Sequence, residues 1–140
     1  MRRIIIPLAA VALLAAACTQ GNVFDLGVGD CFDDPSNLEE VTDVPMVECS
    51  SPHDNEVYVN HTISEISTYP GVAQMSEMAD EVCLESFKPF VGRSYETSEL
   101  NFAWLTPTSE SWNEGDRVIT CFVYDLNFAK LNGTMRGTAV

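Results

Sequence analysis

The chain has 140 residues, 46% of them hydrophobic, enough to bury one core. Seven basic residues stand against 21 acidic ones, a net charge of −14. That balance argues against nucleic acid and against docking on anionic lipid through a basic patch; it leaves a basic partner, a bound cation or plain solubility outside the cell.

At the N-terminus, Arg2 and Arg3 precede an apolar run from Ile4 to Leu14, and Ala15-Ala16-Ala17 leads into Cys18. A basic start, a short apolar segment and small residues before a cleavage point define an export signal, and the run is too short for a permanent membrane span. Residues 1–17 are therefore expected to be a signal peptide. Cys18 is the expected lipidation site, carrying palmitate-type chains, and several acyl chains on one cysteine hold a protein firmly to a bilayer. Ala15 occupies the slot where a bulky aliphatic residue is usual, so Ala15-x-Ala17 would also suit ordinary cleavage. Cysteine number favours the lipid. Of Cys18, Cys31, Cys49, Cys83 and Cys121, acylating the first leaves four, which close into two disulfides in an oxidising compartment. Loss of Arg2 and Arg3 with the signal brings the processed chain to five basic and 21 acidic residues, a net charge of −16.

Residues 18–22 read as the lipidated cysteine and a short polar tether, followed by one domain over 23–140. Alternation begins at Val23-Phe24-Asp25-Leu26. Gly29-Asp30 marks a turn before Cys31-Phe32, and Asp33-Asp34-Pro35-Ser36-Asn37 is a loop by composition. The stretch 41–47 carries Pro45, which keeps it off a central strand position. Residues 56–63 make a better strand, with Val57, Val59 and Ile63 sharing one parity. The spacing of Val72, Met75, Met78, Ala79, Val82, Cys83, Ser86 and Phe87 predicts an amphipathic helix from about Pro70 to Lys88, with acidic residues mostly opposite. Pro89 is the expected stop. Leu100, Phe102 and Trp104 alternate in a further strand, and 117–125 is rich in β-formers. Between them, 106–116 reads as a long turn-rich connection. The expected fold is α+β: a small antiparallel sheet of four or five strands with one amphipathic helix packed across it and two disulfides.

Four cysteines allow three connectivities. Cys83 lies on the apolar helix face and Cys121 in the strongest strand, so their bond would staple helix to sheet. Cys31 and Cys49 each border an early turn. The expected pairs are Cys31–Cys49 and Cys83–Cys121.

Four clusters recur in order: Val28-Gly29-Asp30-Cys31-Phe32, the run from Val44 through Cys49 and His53 to Val57, Pro89-Phe90-Val91-Gly92, and Pro107 through Trp112 to Arg117 leading into Cys121. Together they make the chain similar to the septum-formation domain family, over about Leu26 to Gly137. Met46-Val47-Glu48 departs from the family, which places its proline closer to the second cysteine. The resemblance implies an extracytoplasmic domain held by a lipid anchor or one membrane helix and associated with cell division. It carries over no catalytic residue.

Candidate chemistry is sparse. His53-Asp54 is the sharpest pair, since a histidine beside a carboxylate can act as a base, and His53, Glu56 and His61 are metal-ligand types. Their spacing matches no zinc pattern, and in a regular strand Glu56 and His61 would point to opposite faces. A turn-anchoring His53, bonded to backbone after Cys49, is the favoured reading. Asp30, Asp33 and Asp34 lack the spacing of a calcium loop. Ser50, Ser51, Ser109 and Ser111 sit in no nucleophile elbow, and no C-x-x-C pair suggests redox chemistry. Asn60-His61-Thr62 and Asn132-Gly133-Thr134 fit the glycosylation pattern, which a bacterial lipoprotein signal makes moot. Trp112, Asp116 and Arg117 could form a recognition loop or pack over the core edge. The possible binding residues are thus His53, Asp54, Trp112, Asp116 and Arg117, with no catalytic residue, metal or cofactor expected. The functional expectation is a non-catalytic envelope lipoprotein domain on the outer face of the cell membrane. Its role would be binding or assembly, its partner an envelope protein or cell-wall component, and the resemblance links it to septum formation. The alternatives are a ligand-sensing module, or an envelope hydrolase or metal-dependent enzyme built on His53.

Overall fold

The computed structural model describes residues 20–36 and 42–140. The signal segment, Cys18 and residues 37–41 lie outside the described residues. Six antiparallel strands form one open sheet: β1 (Gln20–Asn22), β2 (Cys31–Phe32), β3 (Asp43–Val47), β4 (Asn55–Thr62), β5 (Leu100–Leu105) and β6 (Val118–Asp125). Their order across the sheet is β1-β3-β2-β4-β6-β5. One long helix, α1 (Val72–Val91), packs on one face, and a short helix, α2 (Ser109–Asn113), sits in the connection before β6. The expected α+β architecture is present, with six strands rather than four or five.

The extra strand is β1, from residues read as tether. Gln20 lies opposite Pro45 and Asn22 opposite Asp43. A Cβ on Gly21 would collide with the Met46 side chain, so the lack of a side chain there lets the two strands close. Pro45 is tolerated off the sheet edge because β1 pairs with residues 43–45 whereas β2 pairs with 46 and 47. After β1 the chain makes one 3-10 turn at Val23–Asp25, which buries Val23 and leaves Phe24 outward.

Helix α1 begins two residues later than its apolar spacing suggests and ends three later. Gly71, at φ 95°, precedes its first residue, and Pro70 lies outside. Pro89 does not stop it. Proline in a last turn removes only one hydrogen bond, and continuing the helix buries Phe90 and Val91. Gly92, in the left-handed region at φ 90°, ends the helix with its N–H on the Lys88 carbonyl. The buried face is Met75, Ala79, Cys83, Phe87, Phe90 and Val91, while Val72 is 74% exposed. This face meets Tyr58, Leu100, Phe102, Ile119, Cys121 and Val123. Tyr58 donates to the Cys83 carbonyl at 2.7 Å and packs on Phe87 and Phe90.

Strand β4 breaks the parity expected of it. Val57 lies opposite Phe122, but Val59 lies opposite Cys121, so the β4 strand carries a bulge around Tyr58. The bulge sends Val57 to the face away from α1, where it joins Val23, Leu26, Phe32 and Val44 in a second, smaller core. It also puts Glu56, opposite Val123, and His61, opposite Ile119, on the same face. The regular-strand expectation of opposite faces therefore fails, although the two remain at opposite ends of the strand.

The disulfides are Cys31–Cys49 and Cys83–Cys121, with Cα separations of 5.3 and 5.6 Å. The second bonds α1 to β6 through the middle of the main core. At edge strand β5, two main-chain donors are covered by side chains: Leu100 N–H by Ser98 Oγ at 3.0 Å and Phe102 N–H by Asn101 Oδ1 at 2.8 Å. Such cover blunts an edge against strand addition.

The chain-entropy relation gives about 4 kcal/mol for closing the 38-residue Cys83–Cys121 loop and about 3 kcal/mol for the 18-residue Cys31–Cys49 loop. The Cys83→Ala/Cys121→Ala pair should therefore lower unfolding free energy more than Cys31→Ala/Cys49→Ala. Urea midpoints of the two double variants check this, and equal losses would contradict the ordering.

Candidate functional site

His53 lies just before β4. Its ring is fully buried, and Nδ1 donates to the Ser51 carbonyl at 2.8 Å. Its backbone exchanges both hydrogen bonds with Leu131 in the C-terminal tail, at 3.1 and 2.8 Å. Nε2 is buried with no partner among the described residues. A ring in this position cannot meet a substrate unless the turn opens. Glu56 points elsewhere: its carboxylate, 1% exposed, accepts from Thr134 Oγ1 and Met135 N–H at 2.6 Å each. Its side chain also approaches the sulfurs of Cys31 and Cys49, which are bonded to each other. His53, Glu56 and His61 do not converge.

Asp54 belongs to a surface cluster. It accepts from Asp34 N–H at 3.0 Å, and its own N–H donates to Asp33 Oδ1 at 3.1 Å. The Lys130 ammonium bridges Asp33 and Asp54 at 2.8 and 2.9 Å. Burial pushes the Asp54 carboxyl up, but the Asp34 N–H, the hydrogen-bonded charge of Lys130 and a bond from Asp33 outweigh it and hold the group below the usual carboxylate range. Lys130 is raised, first by its hydrogen bond to Asp33 and, against some desolvation, by Asp54.

Trp112, Asp116 and Arg117 gather at the other end of β4, where Val118 pairs with Thr62. Trp112 is buried, packs on Tyr69 and lies under the Arg117 guanidinium, 3.7 Å from the ring centre. Arg117 donates to the Trp112 carbonyl at 2.7 Å. Asp116 accepts from Ser111 Oγ at 2.9 Å and from Val118 N–H at 3.1 Å. Ser111 and Thr108 form a capping box that starts α2, a helix inside the stretch read as turns. Eight residues of β4 separate this loop from His53–Asp54, roughly 25 Å at strand rise. The structure does not bring the two candidate groups together.

The sequence pattern passes over a cleft on the sheet face opposite α1. Its floor is Ala103 of β5 with Phe122 and Tyr124 of β6, and its volume is about 180 Å³. Asp34, Asp54 and Asn55 form one wall; Asp125, Phe128 and Ala129 form the other. Phe128 is 79% exposed and stacks on Tyr124, with ring centres 5.6 Å apart and planes at 17°. Its φ of 59° lies in the left-handed region, which a bulky side chain adopts at a cost of about 1–2 kcal/mol. The turn is held by Asp125, whose Oδ1 accepts from Asn127 N–H and Ala129 N–H and whose carbonyl accepts from Phe128 N–H. Burial raises the Tyr124 hydroxyl above its ordinary pKa, with Tyr95 and the Asp34 charge adding and a bond to Asn101 opposing. Two large apolar residues, Leu126 and Phe128, inside a polar Asp-x-Asn turn were the available sequence signal.

A family model described as septum formation matches residues 15–136. The chain belongs to the septum formation family. Among curated proteins it is 29% identical over 117 residues to the protein named "Putative lipoprotein LppN" of Mycobacterium tuberculosis and, equally, to that of Mycobacterium bovis. These matches cover 80% of this chain, which spans 63% of the relatives' length. No solved structure matches. No helix among the described residues is long and apolar enough to cross a membrane.

His53→Ala should lower stability by about 2 kcal/mol, from a stranded Ser51 carbonyl and a small cavity. His53→Asn, whose amide can replace the Nδ1 donor, should lose less, and an unchanged urea midpoint for the alanine variant would refute a structural role. Asp54 also has a pH signature. Its folded pKa is depressed, so its contribution is present above the unfolded value of 3.8 and disappears as pH falls through the folded one. Asp54→Asn should therefore flatten the stability curve below about pH 4, as read from midpoints across an acid series.

Proposed function

We propose that this protein is a lipid-anchored, non-catalytic binding component of the cell envelope, held at the extracytoplasmic face of the membrane and acting in assembly at the division septum. The observation that carries the binding role is the cleft on the open sheet face, with Phe128 exposed in a strained conformation above Tyr124. Exposed aromatics held at local strain are the kind of feature that serves a ligand rather than the fold. Membership of the septum formation family supports the place of action. The name of the mycobacterial relatives and the Cys18 signal support the anchor. The sealed ring of His53 favours binding over catalysis. A net charge of −16 after processing disfavours nucleic acid as partner.

Two measurements on cells test this. The native protein should enter the detergent phase with a lipid mass on the Cys18 peptide, and Cys18→Ala should release it or leave it unprocessed. A photoreactive residue at position 128 should crosslink an envelope component at the septum, while one at Leu84, exposed on the far side of α1, should not. Equal crosslinking from both positions, or a native protein found soluble with unmodified Cys18, would overturn the respective half of the reading.

A further inference from the structure

The cleft beneath Phe128 has a chemistry that selects among ligands. Its apolar surfaces are Ala103, Phe122, Tyr124 and Phe128, and its polar lining includes three carboxylates, Asp34, Asp54 and Asp125, with no basic side chain among them. Asp125 uses only Oδ1 within its turn; Oδ2 has no hydrogen bond among the described residues. At the Asp54 end the molecule already binds an ammonium of its own, since Lys130 lies across Asp33 and Asp54 at 2.8 and 2.9 Å. An aromatic face beside carboxylates attracts a cation through the ring quadrupole as well as through charge, and the aliphatic stem of a basic side chain suits an apolar floor. A neutral sugar would also stack on these rings and donate its hydroxyls to the carboxylates, but it would leave their charge uncompensated, whereas a cation neutralises it. The acidic residues Glu77, Asp80, Glu81 and Glu85 on the outer face of α1 are exposed and line no part of this cleft.

We propose that the cleft between Tyr124 and Phe128 and the carboxylates of Asp34, Asp54 and Asp125 is a docking site for a lysine or arginine side chain on an extended segment of a partner protein. The rings cover the stem and the flank of the cationic head, and Asp34 and Asp125 take its N–H groups from either wall. The proposal rests on the binding role given above and adds the class of partner. Strand β5 takes no part through its main chain, because Ser98 and Asn101 cover donors along that edge.

The test uses the full-length protein in detergent micelles, with isotope-labelled amides followed by NMR. The probes are Gly/Ser peptides bearing one central lysine, arginine, norleucine or glutamate. Lysine and arginine peptides should shift the amides of Ala103, Phe122 and residues 124–129, while the norleucine and glutamate peptides should not. Phe128→Asn removes the ring yet tolerates the left-handed backbone, and Asp34→Asn removes one charge; each should weaken binding at least about tenfold. Asp80→Asn/Glu81→Gln on α1 should leave it unchanged. Shifts spread over α1, norleucine binding as well as lysine, or Phe128→Asn binding unchanged would each overturn the proposal. So would a cell-wall disaccharide that shifts the cleft where the lysine peptide does not. A septal crosslink from position 128 without lysine binding would reject the basic partner and keep the binding role; no crosslink and no binding would reject both.

Discussion

The Glu56 carboxylate holds the molecule together in a way no apolar contact does. It is buried at the start of β4, one oxygen accepting from the Thr134 hydroxyl and the other from Met135 N–H. That pair of bonds lays the C-terminal tail across the sheet, and much else follows from where the tail goes. Upstream, Leu131 pairs with His53 and Lys130 reaches Asp33 and Asp54. Downstream, Met135 enters the main core, Gly137 donates to the Phe90 carbonyl and Ala139 to that of Val91. A buried carboxylate is costly unless its oxygens are paired. Here the pairing is local in space yet 78 and 79 residues distant in sequence, so it ties the start of β4 to the far end of the chain.

The same hub explains why His53, Asn55 and Glu56 are polar and buried in one short run. Each serves a different piece of chain: His53 the turn at Ser51, Asn55 the loop through Asp34 Oδ1 at 2.8 Å, Glu56 the tail. A strand in a water-exposed sheet would not need this, but the start of β4 is enclosed by loop, tail and disulfide together. Cys31–Cys49 pins the loop from one side while Glu56 holds the tail from the other. The side of the cleft made by Asp34, Asp54 and Asn55 is thus cross-bonded, through Asp34 N–H to Asp54, Asp54 N–H to Asp33 and the Asn55 amide to Asp34.

Local patterns carried the helix and both disulfides, because the 3.6-residue period of Met75, Ala79, Cys83 and Phe87 is written in adjacent residues and puts one cysteine of the staple on the core face. What depended on distant partners was hidden. The bulge near Tyr58 inverts the parity of β4, and nothing local distinguishes Glu56-Val57-Tyr58-Val59 from a regular strand. Strand β1 is three polar or small residues that become a strand only because β3 presents Met46 over Gly21. Pro89 looked like a stop because the backbone rule is local, while the burial of Phe90 and Val91 that overrides it is tertiary. For the site, His53 and the Trp112–Arg117 loop stand out in the sequence by their side-chain chemistry, and Asp116 and Arg117 also line a surface cleft. His53 and the loop both carry internal bonds that tie them to the fold. Phe128 has no reactive group, so only its exposure and backbone conformation reveal it.

Two groups of carboxylates differ in their surroundings. On the outer face of α1 the carboxylates of Glu77, Asp80, Glu81 and Glu85 are exposed, where water and salt screen them. Around the cleft those of Asp34, Asp54 and Asp125 converge from a loop, a strand start and a turn, beside aromatic rings that lower the local dielectric. Convergence of like charges is unfavourable in the isolated molecule, and Lys130 relieves it on only one side, where it meets Asp33 and Asp54. Asp34 and Asp125 face the cleft from opposite walls with Phe128 raised beside them. A surface that keeps an exposed phenylalanine in a strained conformation and gathers uncompensated charge around it gives up stability at one place. A cationic group entering the cleft would offset both terms at once, neutralising the carboxylates and covering the ring.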